Sequence, residues 1–86
     1  MLPIRGTVVC STAGRDSGKF MIVIGHDGGK VLVADGKERP AERPKLKNLK
    51  HISLTETVIT EEQMLTNRSM RHALSDFKAH TCQGEI

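Results

Sequence analysis

Phe20-Met21-Ile22-Val23-Ile24-Gly25 decides the fold class. Phe20, Ile22 and Ile24 fall on one face of an extended chain, and Met21 and Val23 fall on the other. A strand that is apolar on both faces belongs in the middle of a sheet covered twice. Upstream, Gly6-Thr7-Val8-Val9-Cys10-Ser11 is small or β-branched and reads as a second strand. Downstream, His26-Asp27-Gly28-Gly29 predicts a tight turn. Lys30-Val31-Leu32-Val33-Ala34 predicts a third strand. Asp35-Gly36 signals a further hairpin turn, after which Lys37-Glu38-Arg39 predicts a short basic strand that Pro40 confines to an edge. Residues 41–48 contain Pro44 and read as an irregular connection. Lys50-His51-Ile52-Ser53-Leu54 predicts a last strand with Ile52 and Leu54 pointing inward. Five short strands with tight turns predict a mainly β domain over residues 1–57, a small and partly open barrel.

Beyond residue 57 the period changes. Thr60-Glu61-Glu62-Gln63 resembles a capping box, and Thr66-Asn67 is a second helix start. Met70, Ala73, Leu74 and Phe77 recur at three- and four-residue steps, which predicts a helix over about 67–79, preceded by a short helical turn at 61–65. This C-terminal helical appendage spans 58–80, and 81–86 reads as a frayed tail. The apolar stripe must bury against the barrel or against a partner.

Composition narrows the function. The 86 residues include two Phe, no Tyr and no Trp, too few to build an aromatic cage or a base-stacking platform. A nucleic-acid ligand would therefore be held by charge, backbone and shape. Residues 1–51 carry ten Lys and Arg against five Asp and Glu, a net of +5, whereas 52–86 carry three against five, a net of −2. Lys37, Arg39, Arg43, Lys45, Lys47 and Lys50 cluster within 37–50, where a polyanion would bind. No apolar run reaches the roughly 20 residues of a membrane span. The N-terminus is interrupted by Arg5 and is no secretory signal, so a cytoplasmic protein is expected.

Catalysis, metals and cofactors are not expected. His26, His51, His72 and His80 are scattered, with no nucleophile motif beside them. Cys10 and Cys82 are far apart and read as reduced thiols, and His80-x-Cys82 is not a metal spacing. The loop Gly14-Arg15-Asp16-Ser17-Gly18-Lys19 fails as a Walker loop, because Phe20 stands where a hydroxyl residue would meet Mg²⁺. Asp16 is expected to cap its own loop.

The same loop resembles the KOW motif: Gly6-Thr7-Val8-Val9, then Ala13-Gly14-Arg15-Asp16-Ser17-Gly18-Lys19-Phe20, then Val31-Leu32-Val33-Ala34-Asp35-Gly36. The chain is similar to the fourteenth large-subunit ribosomal protein family of archaea and eukaryotes. It is more similar still to the short bacterial KOW-domain RNA-binding proteins related to that family. Pro44 to Thr55 and Thr66 to Leu74 extend the likeness, which covers about residues 4–78. The resemblance implies an SH3-like five-stranded barrel of the translation-protein type that binds structured RNA, usually ribosomal RNA. It implies a ribonucleoprotein setting, with ribosomal proteins as further partners and a monomeric chain.

By that similarity Gly14, Arg15, Ser17, Gly18 and Lys19 approach RNA; the basic cluster of Lys37, Arg39, Arg43, Lys45, Lys47 and Lys50 would supply phosphate contacts around the loop. Neutralising about five phosphates would give a slope of log K against log salt of roughly −4 to −5. The competing expectation is a protein-interaction adaptor that docks through Met70, Leu74 and Phe77.

Overall fold

The structure is a computed structural model that describes residues 3–84, with side chains described except at 16 and 80–84. One antiparallel sheet holds β1 (Thr7–Ser11), β2 (Phe20–Asp27), β3 (Lys30–Ala34), β4 (Lys45–Lys47) and β5 (Ile52–Val58). Its order is β4-β3-β2-β1-β5, so the doubly apolar strand is central, as its sequence requires. Helix α1 (Asn67–Gly84) follows.

The two faces of β2 divide the core. Ile22 joins Val8 and Ala34 beneath Met70, Ala73 and Leu74 of α1, with Ile59 and Met64 at the margin. Val8 pairs with Ile22 and Ile22 with Ala34 across the sheet, which puts the three on one face. Phe20 meets Phe77 edge to face, with ring centroids 5.0 Å apart. Met21 and Val23 join Val9, Val31 and Val33 on the opposite face, with Leu49 and Ile52 packed against them. Fully burying each such aliphatic side chain stabilises the fold by about 1.5–3 kcal/mol. The helix stripe is therefore part of the core, and Met70 and Leu74 are closed to an external partner.

Three local expectations are corrected. Residues 37–39 are not a strand. The Asp35 carboxylate accepts the backbone N–H of Lys37 (2.8 Å) and of Arg39 (2.9 Å), which takes those donors away from any ladder. The edge strand instead lies in the expected connection, where Val31, Leu32 and Val33 pair with Lys47, Leu46 and Lys45. Leu54 lies opposite Val9, on the inner face, yet is 55% exposed. β4 and β5 are the two edges of the sheet, so β5 has a neighbouring strand on one side only. Finally, α1 runs through Gly84, past the expected helix end near 79, and residues 85 and 86 lie outside the described part.

The helix start is built from side-chain oxygens. Thr60 and Gln63 form the expected capping box: the Thr60 hydroxyl accepts from Gln63 N at 3.1 Å, and Gln63 Oε1 accepts from Thr60 N at 2.9 Å. Thr66 and Ser69 repeat the reciprocal pattern at the start of α1, at 3.0 and 3.1 Å. Thr66→Ala is expected to cost about 1 kcal/mol, hence a melting temperature lower by about 4–8 °C. Thermal denaturation followed by circular dichroism checks this, and Thr66→Ser should restore the loss.

Candidate nucleic-acid interface

The loop between β1 and β2 is fixed by backbone bonds before any ligand arrives. Ser11 N donates to Lys19 O at 2.9 Å and Gly18 N donates to Ser11 O at 2.7 Å, which extends the β1–β2 pairing to the base of the loop. Gly14–Asp16 make a single 3-10 turn, closed by Ser17 N donating to Gly14 O at 3.2 Å. Gly14 and Gly18 have φ of +79° and +88°, values that L side chains rarely adopt. The space beside Gly18 is open, whereas Lys47 Nζ lies 3.8 Å from where a Cβ on Gly14 would stand, and Arg15, Ser17 and Lys19 project from an exposed, pre-shaped loop. The side chain of Asp16, expected to cap this loop, lies outside the described part.

Lys47 has a different task from the one expected of it. It is buried to 6% exposure, and its Nζ donates to Ala13 O at 3.0 Å. That ammonium holds the root of the loop to β4 rather than facing a phosphate. Its burial is tolerable because the charge is hydrogen-bonded.

Four of the expected cations do converge. Arg15, Lys19, Arg39 and Lys45 line one groove of about 230 Å³, together with Met21, Asp35 and Glu38. The bonds of Asp35 to the backbone of 37 and 39 fold the β3–β4 connection back, and this brings Arg39 across to the loop. Lys19 Nζ meets Glu38 Oε1 at 2.7 Å, an ion pair with side chains 46% and 65% exposed. Such an exposed pair is worth at most about 1 kcal/mol, so an incoming phosphate can replace the carboxylate.

Lys37 lies on the far side of the same connection, in a second groove of about 390 Å³ that it shares with Lys19, Arg71 and Lys78. Arg43 and Lys50 are exposed but line neither groove. Arg71 and Lys78 were not among the expected site residues. Their seven-residue spacing, two turns of helix, puts them on one face and was the available signal.

Cys10 is a half-buried free thiol. The side chains of His80 and Cys82 lie outside the described residues. Among the described residues no group of three or more His, Cys, Asp or Glu is placed to hold a metal ion, and no helix is long and apolar enough to cross a membrane.

Neither a protein-family model nor a curated protein matches the chain.

Proposed function

We propose that this protein is a non-catalytic module that binds structured RNA through the β1–β2 loop and the groove beside it. The observation that carries this reading is the convergence of Arg15, Lys19, Arg39 and Lys45 next to a rigid glycine loop. Arg15 and Arg39 present planar donor forks suited to phosphate oxygens, and Lys19 and Lys45 present point charges. With two Phe already engaged with each other, base stacking contributes little, and recognition falls to RNA shape, 2′-OH groups and phosphates. The KOW resemblance supports ribosomal RNA as the class of target, and the cytoplasmic translation machinery as the place of work. The adaptor reading has less support, because Met70 and Leu74 of α1 are packed into the core against the sheet and only Phe77 of its expected surface is half-buried.

Fluorescence anisotropy with purified ribosomal RNA and a labelled stem-loop RNA tests the proposal. Four groove cations predict a slope of log K against log salt of about −3 or steeper. Absence of binding at low salt, or binding that ignores salt, overturns it.

A further inference from the structure

The groove on the helix side of the 35–39 connection has a charge pattern of its own. Lys19, Lys37, Arg71 and Lys78 surround it against Asp35 and Glu38, and Phe20 and Leu74 form part of its lining. Two of those cations come from α1. At 1.5 Å per residue, Arg71 and Lys78 stand about 10 Å apart along the helix axis, on one face. Arg71 is held in place: its Cγ packs against Gly36, where an added Cβ would stand 3.2 Å away. The same contact locks the helix start to the connection, since Asn67 Oδ1 accepts from Ala41 N at 2.8 Å and Asn67 Nδ2 reaches the Glu42 carboxylate at 3.1 Å. Lys19, Asp35 and Glu38 line both grooves, so the two adjoin along the 35–39 connection, here called the ridge.

We infer that α1 provides a second phosphate-binding rail, and that one RNA straddles the 35–39 ridge with backbone phosphates in both grooves. This rests on the RNA-binding reading above. The rail needs no conformational change, because Gly36, Asn67 and the Phe20–Phe77 contact already fix the helix against the ridge. It also assigns the helix a role in binding although its apolar stripe is spent on the core. A helix rail beside a loop groove selects a folded RNA over a flexible single strand, since only a rigid backbone spans both sides without an ordering cost.

The test is Arg71→Gln with Lys78→Gln, changes that remove charge but keep the stem over Gly36 and the helix propensity. Binding of the same labelled stem-loop RNA is measured across salt concentrations, with circular dichroism as the check on fold. Affinity is expected to fall about tenfold, and the slope to become shallower by about 1.5, as for two lost phosphate contacts. Unchanged affinity and slope in the folded variant overturn the rail while leaving the loop groove standing. A wild-type protein that binds no RNA removes the RNA-binding reading itself. A variant that loses stem-loop binding and single-strand binding equally also overturns the straddling geometry.

Discussion

Gly36→Ala is expected to lower the melting temperature by about 15 °C, far more than an ordinary surface substitution. Two effects act together. Gly36 sits at φ +78°, and a side chain in that region costs about 1–2 kcal/mol. Its added Cβ would also stand 2.3 Å from the carbonyl oxygen of Asn67. That oxygen is backbone at the first residue of α1 and cannot swing aside as a side chain would. The helix start must shift, which strains the bonds from Asn67 to Ala41 and Glu42 and loosens Met70 and Leu74 from Ile22. About 3 kcal/mol in total is expected, a large share of the 5–15 kcal/mol that holds a domain together. At roughly 4–8 °C per kcal/mol, the stated shift follows. Gly18→Ala is the control. Gly18 has φ +88° but nothing within 4 Å of the added atom, so only the backbone cost of about 1 kcal/mol applies. Thermal melts of the two variants side by side decide the matter. Equal shifts would mean that the close approach of helix and connection carries no weight.

Gly36 also marks where sequence reading stops. The strands β1, β2 and β3 and the helix were legible because their periods are set by local alternation and by steps of three and four. The capping box at Thr60 and Gln63 was legible for the same reason, since partner and cap lie three residues apart. The region 35–51 was not. Asp35-Gly36 reads as a hairpin turn, yet the Asp35 carboxylate spends itself on the backbone of 37 and 39, and Gly36 is glycine because Asn67 stands 31 positions later in the chain. β4 carries lysines on either side of Leu46, a pattern that charge counting reads as a solvated connection. Only its pairing with Val31 and Val33 makes it a strand. Lys47 was misplaced for a related reason. A count of cations cannot tell an ammonium that faces solvent from one buried against Ala13 O. Arg15, Lys19, Arg39 and Lys45 were named from sequence, but their meeting on one groove depends on how the connection folds back.

Arg15→Glu combined with Arg39→Glu is expected to weaken binding to structured RNA about 100-fold. Each arginine is assigned one charge-assisted phosphate contact, worth about 1.5 kcal/mol, and every 1.4 kcal/mol is a factor of ten. Both side chains are exposed, so the fold should survive the change. Net charge alone would also reduce affinity, and the experiment must separate that from a site. Arg43→Glu with Lys50→Glu makes the same change in charge within the basic half of the chain, at two exposed positions that line neither groove. A diffuse electrostatic attraction predicts equal losses in the two double variants. A built site predicts that the groove pair falls about 100-fold while the other pair falls only a few-fold, because exposed charges that do not line the groove make no direct phosphate contact there and are screened by salt. The salt slope separates them again: the groove pair should flatten it by about 1.5, the other pair by much less. Equal losses, or a larger loss from Arg43 and Lys50, would move the interface off the loop and onto the outer face of the 37–50 segment.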